Sequence, residues 1–168
     1  MPIKPKFGSL FIGVLLAITV WYWQTQTLSP APDVVFKTLN GETIALAELK
    51  GKPVLVTFWA TDCQACLEEI PYLISLHRQY NQQGLTIIAV AMYYDPPNHV
   101  QEMATAKQLP YAVALDPAAE LAKAFGNVQF TPTTFLIDKN GMTVMHKIGG
   151  FDLSTLQKVL TNIGNYSA

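Results

Sequence analysis

Cys63 and Cys66 are the only two cysteines of the chain, and two residues separate them. They follow a continuous apolar stretch, Val54–Trp59, which is typical of a buried strand, and they precede a segment with helical periodicity. A cysteine at the start of a helix faces unsatisfied backbone N–H groups and the positive end of the helix dipole, and both lower the pKa of its thiol. Cys63 is therefore the expected nucleophile, and Cys66, one turn further on, is expected to close a disulfide with it.

Two structural explanations compete with a redox role for this pair. A structural disulfide normally closes a longer loop between elements, and a structural zinc site needs four ligands. The sequence has no second cysteine pair, and His77, His99 and His146 show no ligand spacing. The pattern favours thiol–disulfide exchange, with no metal and no cofactor besides the Cys63–Cys66 disulfide.

The elements that must hold this pair can be predicted from apolar runs, helical periodicity and Asn-Gly turns. In chain order they are a hairpin over residues 34–46, a strand over 54–59, a helix over 64–82, a strand over 85–92, a helix over 100–108, a strand over 111–115, a helix over 117–125, a hairpin over 133–149 and a helix over 153–163. This succession indicates an α/β fold with a central mixed β-sheet and helices on both faces.

The N-terminal part of the chain predicts a membrane anchor. Residues 7–23 carry no charge and end in Trp-Tyr-Trp, which suits a membrane interface. Lys4 and Lys6 precede this segment, so the positive-inside rule leaves residues 1–6 in the cytoplasm and the rest of the chain outside. A cleaved signal peptide has the same charge pattern, and either alternative exports the domain.

The remaining sequence divides into a linker and one domain. Residues 24–33 are polar and contain prolines, which predicts a linker, and residues 34–165 form the predicted domain. The whole chain has 11 basic and 12 acidic residues with no basic run, so it cannot neutralise a series of phosphates. Nucleic acid is therefore excluded as an expected partner.

Several stretches together resemble the thioredoxin-like family, in particular its exported, membrane-anchored TlpA, ResA and CcmG branch. They are LKGKPVLVTFWATDCQAC, EEIP, FTPTTFLIDKNG and the Gly-Gly pair before the last helix, and they span nearly the whole domain. The resemblance implies a thioredoxin fold with an N-terminal β-hairpin extension and a central βα insertion. It implies a cis bond between Thr131 and Pro132, a substrate-binding role for both residues, and a place for Trp59 beneath this site.

The resemblance also gives Glu69 a role. This residue stands one helical turn after Cys66 and matches a glutamate that tunes cysteine protonation in ResA-like reductases. Thr57 stands where cytoplasmic thioredoxins have a buried acid, and a threonine cannot act as a base. Glu69 is therefore the expected catalytic group that deprotonates Cys66.

Three residues depart from the family's common Trp-Cys-Gly-Pro-Cys pattern. Asp62 replaces the aromatic residue, and Gln64 and Ala65 replace Gly and Pro. A carboxylate beside Cys63 disfavours the thiolate, which makes the dithiol more reducing. We expect these three residues to modulate the reduction potential.

The expected function is reduction of disulfides in exported proteins by a monomeric domain tethered to the inner membrane and facing the periplasm or cell exterior. Such a reductase needs a membrane electron donor of the CcdA or DsbD type, and cytochrome c biogenesis is one setting that the resemblance suggests. The alternatives are a disulfide oxidase with the same chemistry and a Cu(I)-binding chaperone, since thiolates suit Cu(I). A peroxidase would need a threonine where Ala60 stands.

Overall fold

Six consecutive residues, VLVTFW, form strand β4 (Val54–Trp59), and every one of them is buried. In the computed structural model, which describes residues 29–164, one mixed sheet contains β4 together with β1 (Ser29–Pro30), β5 (Thr86–Ala91), β6 (Ala112–Leu115), β7 (Thr133–Ile137) and β8 (Met142–Ile148). The strand order is β1-β8-β7-β4-β5-β6, so β4 has a partner on each side. Strands β2 (Val35–Lys37) and β3 (Thr43–Ala45) pair separately as the predicted hairpin.

Helices cover both faces of this sheet, as the sequence predicts. They are α1 (Gln64–Tyr80), α2 (Pro97–Ala106), α3 (Glu120–Ala124) and α4 (Leu153–Gly164). Apolar residues of α1, α2 and α4 share one core cluster with Leu55 and Trp59 of β4, whereas α3 and the β2–β3 hairpin share the other with Val56 and Phe58. Alternate side chains of β4 therefore enter two separate cores. The predicted α/β thioredoxin fold is confirmed.

Strand pairing brings four chain segments to one edge of the sheet. Strand β4 ends at Trp59, level with the end of β5 at Ala91. Strand β7 runs antiparallel to β4 and begins at Thr133, beside the end of β4, and β8 ends at Ile148, opposite Thr133. The loops attached to these four residues meet there, and we call this the CxxC edge because Cys63 follows β4.

Strand β1 replaces part of the predicted linker. The sequence predicts a linker over residues 24–33, but Ser29 and Pro30 pair with Thr143 and Met142 of β8. The outer strand of a sheet leaves backbone groups unpaired, and a short polar segment can satisfy them, with proline tolerated at such an edge. The rest of the predicted linker up to residue 28, and the predicted anchor over residues 7–23, lie outside the described residues.

Helix α3 is shorter than predicted. The sequence predicts a helix over residues 117–125, whereas α3 begins at Glu120 and ends at Ala124. The buried carboxylate of Asp116 accepts hydrogen bonds from the main-chain N–H groups of Leu121 at 3.1 Å and Ala122 at 2.8 Å. Residues 117–119 therefore form the turn between Asp116 and the helix. Apolar periodicity does not reveal this side-chain cap.

The core beneath β4 predicts a large stability effect for one substitution. Phe58 is fully buried, and its ring centroid lies 5.4 Å from that of Phe125 and 6.1 Å from that of Phe135. Phe58→Ala is expected to lower the free energy of unfolding by about 3–5 kcal/mol, because it leaves a cavity among these rings. Phe130→Ala is the matched control, since Phe130 is 65% exposed. Chemical denaturation that gave both variants the same stability would contradict this account of the core.

Candidate active site

The two cysteines form a disulfide at the junction of β4 and α1, with their Cα atoms 5.2 Å apart. Cys63 is the N-cap residue of α1, and its Sγ accepts a hydrogen bond from the main-chain N–H of Cys66 at 3.2 Å. That N–H group would stabilise negative charge on Cys63 Sγ after reduction. Cys66 is only 3% exposed, whereas Cys63 is half-buried. An incoming disulfide can therefore reach Cys63 first, which agrees with its predicted role as the nucleophile.

The turn that leads into Cys63 is tied to the loop after β5. The main-chain N–H of Thr61 donates to Oδ2 of Asp95 at 2.6 Å, and the Thr61 hydroxyl donates to Oδ1 at 2.7 Å. The Asp95 carboxylate is itself buried, so this double hydrogen bond joins two loops of the CxxC edge firmly. Sequence reasoning missed Asp95, because nothing in its neighbourhood identifies Thr61 as its partner.

The three residues that depart from the family pattern are all on the surface. Asp62, Gln64 and Ala65 are exposed, and the Gln64 side-chain amide donates to Oε1 of Glu68 at 3.1 Å. Asp62 is thus placed beside Cys63 in solvent. Its predicted effect on the reduction potential stays a prediction.

Glu69 is a buried carboxyl group on the same helix as the cysteines. It is 4% exposed, and its Oε1 accepts a hydrogen bond from the main-chain N–H of Phe151 at 2.8 Å. Burial raises the pKa of Glu69 to about 7, and the hydrogen bond from Phe151 opposes part of this rise. A carboxyl group with this pKa can exchange a proton near neutral pH, as the predicted role of Glu69 requires.

Glu69 and Cys66 line the same small cavity, about 10 Å³ in volume, together with Thr57, Trp59 and Tyr111. The Thr57 hydroxyl lies 3.0 Å from the hydroxyl of Thr134, so this buried polar group is satisfied by a neighbouring strand. Burial, and then the charge of Glu69, raise the pKa of Tyr111 far above its ordinary value, which keeps the phenol protonated. Among the residues that line this cavity, Glu69 is the one carboxyl group.

The cis bond between Thr131 and Pro132 is present, and Pro132 leads into β7. Pro132 itself is buried, and Thr131 is half-buried. Trp59 is 4% exposed, and its Nε1 has no hydrogen-bond partner among the described residues. Trp59 therefore supports the site from within, whereas Thr131 remains accessible to a substrate.

A short segment before α4 joins the cis-proline to Glu69. The main-chain N–H of Gly149 donates to the carbonyl oxygen of Pro132 at 2.8 Å, and two residues later the N–H of Phe151 holds Glu69. Gly149 has a φ of 80°, which favours glycine. The Gly-Gly pair is the only sequence signal for this segment. The pair does not reveal that Glu69 is the carboxyl group that accepts a hydrogen bond from the segment.

The raised pKa of Glu69 predicts how stability depends on pH. The folded oxidised chain holds the Glu69 proton up to about pH 7, whereas the unfolded chain loses it near the ordinary value of 4.5. The folded state binds more protons between these values, so the free energy of unfolding falls as pH rises through this window. The fall in the free energy of unfolding that Glu69 causes across this window is on the order of 3 kcal/mol. Glu69→Gln should remove this slope, and pH-dependent denaturation of both proteins measures it; an unchanged slope would contradict the assignment.

The sequence model of the Redoxin family matches residues 26–160. The chain belongs to the Redoxin family. It is 39% identical over 113 residues to the thiol-disulfide oxidoreductase ResA of Geobacillus thermodenitrificans, a match that covers 67% of this chain and 64% of that protein. It is 34% identical over 133 residues to the ResA of Bacillus thuringiensis subsp. konkukian, with 79% and 76% of the two chains covered.

The Redoxin-family chain also resembles a solved structure in its fold. The thiol:disulfide interchange protein of the thioredoxin family from Chlorobium tepidum TLS superposes with a TM-score of 0.74 at 26% identity, over 81% of this chain and 96% of that one. The predicted family and the predicted enzyme class, thiol–disulfide oxidoreductase, are confirmed. Within residues 29–164, no helix is long and apolar enough to cross a membrane.

Proposed function

We propose that this chain is a membrane-tethered reductase that delivers electrons to disulfides in exported proteins. The observation that carries the proposal is the arrangement of three groups: an accessible Cys63 at the start of α1, a buried Cys66, and a buried Glu69 that lines the same cavity as Cys66. This arrangement separates the sulfur that meets the substrate from the sulfur that releases it. The cysteine pair alone would carry the electrons, without a further cofactor.

The reaction would begin from the reduced pair. The Cys63 thiolate attacks one sulfur of the substrate disulfide, a mixed disulfide forms, and the second substrate sulfur leaves as a thiolate that takes up a proton. Cys66 then loses its proton to Glu69, and its thiolate attacks the Cys63 sulfur. The Cys63–Cys66 disulfide forms, and the first substrate sulfur leaves as a thiol after it accepts a proton. Two electrons pass from the chain to the substrate.

The oxidised pair must then be reduced again. Thiols outside the cytoplasm lie in oxidising surroundings, so we propose a membrane dithiol donor of the CcdA or DsbD type. An anchor over residues 7–23 would keep the domain in the inner membrane, facing the periplasm or cell exterior. It would also raise the effective concentration of the domain near such a donor.

The reduction potential tests the direction of electron flow. The full-length chain, purified in mild detergent, would be equilibrated in glutathione and dithiothreitol buffers, and its free thiols counted. We expect a value near or below that of thioredoxin, roughly −270 mV. A value near −120 mV, in the range of a strong oxidant, would make the chain an oxidase instead. If no two-electron transition were observed, thiol–disulfide exchange would be ruled out, and Cu(I) binding would be tested next.

A further inference from the structure

Glu69 can act in successive turnovers only if its proton reaches the solvent. In the proposed cycle the carboxylate takes a proton from Cys66, and it must lose that proton before it can act again. Glu69 is 4% exposed, and the cavity that it lines has room for at most one water molecule, since its volume is about 10 Å³. The surroundings of Glu69 must therefore provide a route for the proton.

A polar groove shares a wall with this cavity. The groove has a volume of about 130 Å³, and its lining includes Asn40 at the turn of the β2–β3 hairpin and Gln101 and Thr105 of α2. These three residues are exposed, so the groove is open to solvent. The hairpin is held there by a hydrogen bond of 2.8 Å from the main-chain N–H of Leu39 to the carbonyl oxygen of Val113 in β6. We call this feature the α2 groove.

Leu109 and Tyr111 form the shared wall, because each of them lines both the Glu69 cavity and the α2 groove. The side chain of Leu109 is aliphatic and cannot carry a proton. The Tyr111 phenol can, since its oxygen accepts a hydrogen bond while its O–H donates one. Within residues 29–164 this hydroxyl makes no hydrogen bond to another group, so both capacities are available.

The charge of Glu69 acts on the Tyr111 phenol. It adds to the effect of burial in raising the pKa of Tyr111, so the phenol keeps its proton at neutral pH. The Tyr111 ring packs against the His77 ring with centroids 6.3 Å apart, which limits how far it can turn. No further residue that lines the cavity or the groove carries a carboxyl, amino or imidazole group. Tyr111 is thus the group in the shared wall that can pass a proton from Glu69 to the groove.

We infer that the Tyr111 hydroxyl passes the proton of Glu69 to water in the α2 groove. The Tyr111 oxygen accepts the Glu69 proton while its own proton passes to a water molecule, and rotation of the hydroxyl restores the starting state. No bond between heavy atoms changes, and no electrons are transferred. Tyr111 acts only through Glu69, so this inference rests on the proposed function and adds a residue to it.

A second route, past Gly150, competes with this one. Gly150 is exposed, and a Cβ atom at this position would lie 3.6 Å from Oε1 of Glu69. Water that entered there would meet the oxygen that already accepts the Phe151 hydrogen bond, and the main-chain N–H groups of this segment donate but cannot accept a proton. The geometry therefore favours the route through Tyr111. Gly150→Ala distinguishes the two routes, because its methyl group would cover Oε1 at an ordinary contact distance.

The test measures how fast Glu69 exchanges its proton with water. The full-length oxidised chain, labelled with carbon-13 at the glutamate carboxyl carbons and purified in mild detergent, would be titrated by NMR through the Glu69 pKa of about 7. Glu69→Gln would assign the Glu69 signal. Tyr111→Phe keeps the ring and removes the hydroxyl, so it should slow the exchange about 100-fold, a typical contribution of a positioned proton-transfer group. The slower exchange would broaden or split the Glu69 signal near its pKa.

Gly150→Ala and Tyr72→Phe are the matched controls, and both should leave the exchange rate unchanged. Tyr72→Phe makes the same chemical change at a tyrosine of α1 that is 47% exposed. A purely structural role of Tyr111 would shift the midpoint of the titration or lower the thermal stability without slowing the exchange. Unchanged exchange in Tyr111→Phe, or an equally large slowing in either control, would overturn the inference and leave the proposed function standing. A Glu69 signal that does not titrate near pH 7 in the unmodified chain would overturn the inference together with the role of Glu69 in the proposed function.

Discussion

A Cys66→Ser chain is expected to stop halfway through the reaction and accumulate as a covalent adduct with its substrate. Cys63 is accessible and can still attack a disulfide, but no second sulfur remains to attack Cys63. Turnover should fall by about three orders of magnitude or more, since the two sulfurs act as one unit. The adduct would be detected as a species of higher mass on a non-reducing gel and identified by mass spectrometry.

The matched control is Cys63→Ser. This variant removes the accessible sulfur and keeps the buried one, so it should lose turnover to the same extent without forming an adduct. Adducts formed equally by both variants would show that Cys66 is also accessible to substrates, against its 3% exposure. Adducts formed by Cys63→Ser alone would reverse the two assigned roles.

A Glu69→Gln chain is expected to release its substrate slowly at neutral pH. The Cys66 thiol must lose a proton before it attacks the mixed disulfide, and a Glu69 carboxylate with a pKa of about 7 can accept it. Glutamine has the same shape and can still accept the Phe151 hydrogen bond, but it cannot accept the proton. We expect the release step to be about 100-fold slower at pH 7, because general base catalysis commonly contributes that much.

The pH profile of the release step separates this role from a structural one. In the unmodified chain, the rate should rise with pH and level off above about 7, where Glu69 is ionised. In Glu69→Gln, it should keep rising until the Cys66 thiol ionises without help. Glu68→Gln is the control, because Glu68 lies next in sequence but is exposed. If the profile of Glu69→Gln matched that of the unmodified chain, Glu69 would have no part in proton transfer.

The sequence was most informative where a structure depends on local pattern. Strand β4 begins and ends where its apolar run does, and α1 begins at Gln64 as predicted and ends at Tyr80, two residues before the predicted end. The cysteine pair at their junction follows from the same pattern. The cis bond before Pro132 was predicted from the family resemblance, since an isolated sequence distinguishes poorly between cis and trans proline.

Contacts between distant parts of the chain could not be predicted in this way. The hydrogen bond from Phe151 to Glu69 joins residues 82 apart, and the bond from Thr61 to Asp95 joins residues 34 apart. Neither has a periodic signal, because each depends on how separate elements pack. The strand formed by Ser29 and Pro30 was missed for the same reason, since its partners, Thr143 and Met142 of β8, lie far from it in the sequence.

The hydrogen bonds between Thr61 and Asp95 have a consequence for how such a protein can evolve. They hold the turn at Thr61, the residue before Asp62. Asp62, Gln64 and Ala65 are themselves exposed, so their side chains contribute little to packing. Replacements at exposed positions of this kind usually change stability by less than about 0.5 kcal/mol. Natural selection can therefore sample different residues around Cys63 without loss of folding. If these three residues modulate the reduction potential as predicted, a lineage could change that potential through them while the fold stays the same.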